Sequence, residues 1–336
     1  MARGSTRSLA AALAVTFAAS GALVTAAPKE RDVRFELAAS KAELKTTEDV
    51  YVRFTVRNDG DRGRPVYLWD TPLQEVENDL FLVTRDGERV AYLGYIAKRG
   101  LPTQEDYLQL KPGKSASVFV ELSALYDLSQ PGFYTVQYRG LGESNEVSFR
   151  LTGEPRKQAA APAPPPPEAG TVYRSCSAGQ QADLEQALPA AQNYASQAYS
   201  SLNGQAGARY TTWFGTYTSS RYNAVTNHFQ SISSALDNET ITFDCKCKKK
   251  YYAYVYPNRP YEIFLCRVFW TAPMTGTDSK AGTIIHETSH FNVVAGTDDW
   301  AYGQSACKSL AISDPDRAVN NADSHEYYAE NNPPQN

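Results

Sequence analysis

Hydrophobic and polar positions alternate with a period of two along Asp49-Val50-Tyr51-Val52-Arg53-Phe54-Thr55-Val56-Arg57 and stop at Asn58-Asp59-Gly60, the pattern of a half-buried strand entering a turn. Leu80-Phe81-Leu82-Val83-Thr84 runs through Arg85-Asp86-Gly87-Glu88 into Arg89-Val90-Ala91-Tyr92-Leu93, which predicts a tight hairpin. Lys111-Pro112-Gly113 precedes an apolar-rich stretch at 116–120, and Pro131-Gly132 precedes another at 133–138. Short strands bounded by turns at this spacing predict an antiparallel β-sandwich over residues 28–153. No acid-base or metal-ligand cluster appears within it.

Beyond residue 170 the periodicity changes. Helical spacing covers 182–202, with a kink expected at Pro189, and 219–236. Strands follow at 240–245, 251–256 and 262–269, the last two joined by Pro257-Asn258-Arg259-Pro260. Lys248-Lys249-Lys250 reads as the solvated end of an edge strand. Three further helices are expected: 281–294, 299–312, and one begun by Asp314 as N-cap with Pro315 at its first position. The C-terminal part, 171–336, is therefore α+β. Residues 154–170 are rich in Pro and Ala and can bury little, so they form an extended, protease-accessible linker.

At the other end, Arg3 and Arg7 precede an apolar stretch at 9–24 that closes in small residues. This is the pattern of a signal peptide over residues 1–27, and it predicts a secreted, extracellular protein. No other stretch is long and apolar enough to span a membrane. The 336 residues, 42% hydrophobic and 21% charged, exclude a mainly disordered chain. A formal net charge of −4 provides no basic field for polyphosphate, so nucleic acid is not an expected partner. Export makes disulfides possible, and all five cysteines, Cys176, Cys245, Cys247, Cys266 and Cys307, lie in the C-terminal half. Cys245-Lys246-Cys247 lacks the spacing of a zinc ribbon.

The chemistry concentrates in His286-Glu287-Thr288-Ser289-His290. Residues four apart share a helix face, so both imidazoles can reach one zinc ion while Glu287 stands beside its water. Zinc needs a third protein ligand and an open position. Val293 and Gly296 stand where a longer motif would place Gly and His, and the first glutamate downstream is Glu326. Gly296-Thr297-Asp298-Asp299-Trp300-Ala301-Tyr302-Gly303 follows closely, with Gly296 able to end the helix and turn an aspartate back toward the metal. Spacing does not choose between Asp298 and Asp299. A second acidic pair, Asp323 and Glu326, sits at i and i+3 on the last helix, suited to a cationic side chain.

His-Glu-x-x-His at 286–290 followed by Gly-Thr-x-Asp-x-x-Tyr at 296–302 resembles the signature of the aspzincin metalloendopeptidases, the deuterolysin and peptidyl-Lys metalloendopeptidase family. The resemblance spans residues 171–336 and implies a zincin-like catalytic domain with one Zn2+. It implies that His286, His290 and Asp299 ligate the metal, that Glu287 is the catalytic base and that Tyr302 assists the transition state. It also implies disulfides Cys176 to Cys245 and Cys247 to Cys266, leaving Cys307 as a small buried thiol. Asp323 and Glu326 match the acidic pocket for the residue after the scissile bond, which implies cleavage on the amino side of lysine.

The expected protein is a monomeric preproenzyme acting on protein or peptide substrates, with the sandwich as propeptide and inhibitor. If the pocket takes lysine, the simplest plug is a lysine of the propeptide itself. Lys98 is the candidate, because it falls where a strand gives way to a loop bearing glycine and proline and can protrude. Lys41, Lys45, Lys111 and Lys114 are rivals. Activation is expected between Gly153 and Val172, with the bond before Lys157 suited to self-processing. The alternatives are a deuterolysin-like protease without lysine preference, and a secreted binding protein with an inactive zinc module.

Overall fold

In β3 (Tyr51–Asn58) the side chains of Val52, Phe54 and Val56 turn inward and those of Tyr51, Arg53 and Arg57 outward, as their alternation requires. The computed structural model describes residues 32–156 and 170–335. The signal-peptide segment, and most of the linker with Lys157, lie outside the described residues. Two strands precede β3: β1 (Val33–Ala39) and β2 (Glu43–Lys45). After it come β4 (Arg64–Tyr67), β5 (Phe81–Arg85), β6 (Glu88–Arg89), β7 (Ile96–Lys98), β8 (Tyr107–Leu110), β9 (Ser115–Glu121), β10 (Gly132–Tyr138) and β11 (Val147–Thr152). A three-stranded sheet, β1-β3-β9, and a five-stranded sheet, β2-β11-β10-β5-β6, share one core, with β4 and β8 as a separate pair. Phe54 and Tyr138 meet at its centre with ring centroids 4.7 Å apart. The pairing is antiparallel except between β11 and β2, which run parallel and are not consecutive in sequence.

The C-terminal part has its own core. It contains β12 (Gly170–Arg174), α1 (Ala178–Ser201), α2 (Ala208–Phe214), α3 (Ser219–Asn238), β13 (Thr240–Asp244), β14 (Ala253–Val255) and β15 (Glu262–Leu265). The helices α4 (Lys280–His290), α5 (Gln304–Ser313), α6 (Pro315–Val319) and α7 (Ala322–Glu330) complete it. It is α+β, and disulfides Cys176–Cys245 and Cys247–Cys266 tie its sheet to the neighbouring loops. Cys307 is a buried free thiol. Among the described residues no helix is long and apolar enough to cross a membrane.

Several elements depart from the periodicity. Helix α1 runs through Pro189 as one element, begun by a capping box between Ser177 and Gln180. The short α2 has no strong periodic signal; its Tyr210, Trp213 and Phe214 are buried by tertiary packing. No helix starts at 299. Gly303 holds φ +81°, outside the helical region, and α5 begins after it. The last predicted helix divides into α6 and α7 at Asn320 and Asn321, where the Asn321 backbone is extended (φ −106°, ψ 122°) and its carboxamide Oδ1 accepts from the backbone N–H groups of Trp300 and Ala301.

The largest departure concerns β7. Although it belongs in sequence to the sandwich, it pairs antiparallel with β14 and forms the edge of the C-terminal sheet, whose order is β12-β13-β15-β14-β7. Ile96 faces Val255, Ala97 faces Tyr254 and Lys98 faces Ala253. The strand that ends at Lys98 is therefore not a protruding loop but part of a shared sheet.

Candidate active site

Helix α4 is buried along its entire length, which is unusual for an element carrying Lys, Glu and two His. Its first turn is closed by Ser279, whose Oγ accepts from the Gly282 N–H and donates to Glu330 Oε1 at 2.7 Å. Gly282 permits this approach: a Cβ there would lie 2.2 Å from Glu330 Oε1. Thus anchored, the helix presents His286 and His290 one turn apart, with their Nε2 atoms separated by 3.1 Å.

Asp299 reaches the same point from the irregular segment after α4. Its Oδ1 lies 3.3 Å from His286 Nε2 and 3.6 Å from His290 Nε2. A tetrahedral zinc with bonds of ~2.0–2.1 Å has ligand-to-ligand edges of ~3.3 Å, so the three donor atoms fit the ion. All three residues are fully enclosed, and Asp299 Oδ1 has no hydrogen-bond donor from the protein. Asp298 points elsewhere, with Oδ2 accepting from Asn320 Nδ2 at 3.0 Å. The Asp299 backbone is held by the sandwich, since its carbonyl accepts from Asn78 Nδ2 at 2.8 Å.

Each imidazole has an oxygen close to its other nitrogen. His290 Nδ1 donates to the Thr297 carbonyl at 2.7 Å, and His286 Nδ1 lies 2.8 Å from Asp323 Oδ1. Partners of this kind hold a ring so that Nε2 keeps its lone pair for a metal. Burial pushes the His290 imidazole down to about 4, so it is neutral at physiological pH. Glu287 is fully buried, and neither of its carboxylate oxygens has a protein partner. Burial raises its carboxyl to about 8, so its proton exchange falls near neutrality.

Tyr302 closes one side. Its hydroxyl lies 3.2 Å from Asp299 Oδ2 and 3.5 Å from the Ala97 carbonyl oxygen of β7. Burial, reinforced by the Asp299 charge, drives the phenol well above its ordinary range, so it remains a donor. Beyond it, Lys98 Nζ lies 3.0 Å from Asp323 Oδ1 and 2.6 Å from Glu326 Oε2. All three side chains are at most 1% exposed. Asp323 thus touches both the bound ammonium and His286. Lys41, Lys45, Lys111 and Lys114 are exposed.

Sequence reasoning missed the surroundings of β7. Lys249 is solvated, as expected, but it lies outside any strand and its Nζ is 3.0 Å from Glu75 Oε2 and 2.9 Å from Glu77 Oε1 of the sandwich. Tyr251 also donates to Glu77, and Arg99 stacks over Trp69 at 4.4 Å from the ring centroid. No spacing in the sequence links positions so far apart.

Two histidines from one helix turn, an aspartate and an unpartnered glutamate inside an α+β unit define a metal-dependent hydrolase. The profile of the family described as lysine-specific metallo-endopeptidase matches residues 199–330. An extracellular protease of Aeromonas hydrophila is 44% identical over 314 residues, covering 87% of this chain and 90% of its own. A peptidyl-Lys metalloendopeptidase of Grifola frondosa is 39% identical, covering 84% and 88%. Another, from Pleurotus ostreatus, is 53% identical over 48% of this chain and 98% of its own. The solved zinc peptidase of Grifola frondosa is 52% identical, covers 48% of this chain and all of its own, and gives a TM-score of 0.47. The chain belongs to the aspzincin metalloendopeptidases and is a peptide-bond hydrolase.

Proposed function

We propose that this chain is a secreted zinc endopeptidase, made as an inhibited precursor, that cuts on the amino side of lysine. The observation that carries the reading is the seating of Lys98. Its ammonium lies between Asp323 and Glu326 while the carbonyl immediately before it lies 3.5 Å from the Tyr302 hydroxyl. A substrate lysine in the same place would put the preceding carbonyl beside the metal ligands.

His286, His290 and Asp299 would hold one Zn2+, which when bound polarises a carbonyl and acidifies water. Glu287 takes a proton from the attacking water and passes it to the departing amine. Tyr302 donates a hydrogen bond to the oxygen on which charge develops, an effect worth ~3 kcal/mol. Asp323 and Glu326 fix the register by neutralising a compact ammonium at the end of a long stem; the broader guanidinium of arginine fits such a site less well. The sandwich, residues 28–153, acts as propeptide, with Lys98 occupying the lysine site until cleavage in the linker. Secretion is supported by the N-terminal pattern and the name of the Aeromonas relative.

The test is cleavage of a mixed peptide pool by the activated enzyme, wild type and Asp323→Asn/Glu326→Gln. Wild type should cut before lysine, and the double variant should lose that selectivity much more than its total turnover. Leucine or phenylalanine after the bond as often as lysine would overturn the specificity.

A further inference from the structure

A lysine seated in a protease built for lysine should be cut, yet the reading above makes Lys98 an inhibitor. We infer that Glu77 is the positioning residue that makes β7 an inhibitor instead of a substrate, and that without its clamp the enzyme cuts its own propeptide at Ala97–Lys98. This inference rests on the proposed Lys98 plug.

Glu77 holds the chain on both sides of that bond. Its backbone carbonyl accepts from the Ala97 N–H at 3.3 Å, and its Oε2 accepts from the Arg99 guanidinium. Its Oε1 accepts from the Tyr95 hydroxyl of the sandwich at 2.6 Å and, across the seam, from Lys249 Nζ at 2.9 Å and the Tyr251 hydroxyl. The Glu77 side chain is 5% exposed and Arg99 is 7% exposed, so this ion pair is largely shielded from water. On the other side of Ala97, Ile96 is buried in the sandwich core.

Hydrolysis at this position consumes one water, breaks the Ala97–Lys98 C–N bond and leaves a carboxylate on Ala97 and an ammonium on Lys98. Ordinary substrate halves then diffuse apart. Here Ala97 stays bound through its N–H, and Lys98 stays in place through Arg99 and its own ion pairs. Ends held together in this way rejoin with the advantage of a high effective concentration, so the intact bond is favoured. The same clamp also resists the distortion that the reacting carbonyl must undergo.

The experiment follows purified full-chain protein by intact mass and N-terminal sequencing, comparing wild type, Glu77→Gln and Arg99→Gln. Thermal unfolding checks that each variant is folded. Wild type with its linker uncut should remain inhibited, with Ala97–Lys98 intact. Both variants should yield a fragment beginning at Lys98 about tenfold faster or more, the effect of losing one buried charge-assisted hydrogen bond, and inhibition should disappear in step. Once the sandwich has been separated, all three enzymes should hydrolyse a lysyl peptide alike. Folded variants that lose inhibition with the bond intact, or that cut it no faster than wild type, overturn the inference. If one variant fails to fold, the other decides. A wild-type precursor that is not inhibited, or a Lys98→Ala precursor as inhibited as wild type, would instead overturn the plug itself.

Discussion

At the scale of the residue, the distinction between Asp298 and Asp299 decides the chemistry. Their side chains are adjacent in sequence, but one lies 3.3 Å from His286 Nε2 and the other accepts from Asn320. Asp299→Ala should therefore lose zinc, as metal analysis of the purified protein will read, whereas Asp298→Ala should retain it. Zinc loss in the Asp298 variant alone would place the ligand set in the wrong register. Glu287→Ala should keep zinc and fold but lower turnover by ~10²–10⁴, the range for loss of a general acid-base. Near-normal proteolysis by that variant would remove Glu287 from the mechanism. Asp323 Oδ1 lies beside both the lysine ammonium and His286 Nδ1, while its Oδ2 accepts from the Gly303 N–H, so one carboxylate links the pocket to a proposed metal-ligand ring.

At the scale of the element, α7 concentrates buried polar groups that tie the site together. Asp323 and Glu326 face Lys98, Glu330 receives the cap of α4, and His325 meets α3. His325 Nδ1 donates to the Asn321 carbonyl at 3.0 Å, which leaves its Nε2 to accept from His228 Nδ1 at 3.1 Å. Burial lowers His228 to about 4, and burial followed by the neighbouring His228 lowers His325 to about 3. In the unfolded chain both would titrate near 6.5. The unfolded state therefore binds more protons between pH 6.5 and 4, and the stability due to this pair falls as pH drops through that window. Burial-raised carboxyls, such as Glu330 at about 9, contribute with the opposite sign, losing stability as pH rises from about 4.5 toward 9. A comparison with His228→Gln isolates the histidine effect. The stability advantage of wild type over the variant should shrink by roughly 1–3 kcal/mol between pH 7 and 5 in urea unfolding. An advantage independent of pH would mean that the pair is not held neutral.

At the scale of the whole molecule, two hydrophobic cores are joined by a sheet that neither part completes alone. Addition of β7 to β14 supplies backbone pairing, and Lys98 supplies a cation to the two adjacent carboxylates of Asp323 and Glu326. Lys98→Ala should remove that match and open the pocket. Full-length Lys98→Ala with an uncut linker should hydrolyse a lysyl peptide at least ~10 times faster than the uncut wild-type precursor, since a buried charge pair at an interface is worth a few kcal/mol. Gel analysis must show that the linker is intact during the assay, and equal latency of the two precursors would exclude Lys98 as the plug.

How much of this was legible depends on the range of the interaction. His286 and His290, and likewise Asp323 and Glu326, are brought onto one helix face by local geometry, so their pairing could be read from spacing. The strands of the N-terminal part and the α+β character of the C-terminal part follow from periodicity for the same reason. The resemblance, not the spacing, selected Asp299; its position in space depends on Asn321, 22 residues away, and on Asn78 of the sandwich, 221 away. Helix α2 has its apolar side chains buried by distant neighbours. Lys98 looked like a loop residue because a three-residue strand carries almost no periodic signal, and its pairing partner lies beyond the linker. Glu77 had no signal at all, since a carboxylate among tyrosines and cations acquires its meaning only when two distant segments, 95–99 and 249–251, converge on it. Local spacing determined which residues could act together, and tertiary packing decided which of them do, because contacts across hundreds of residues are set by the fold and leave no periodicity in the chain.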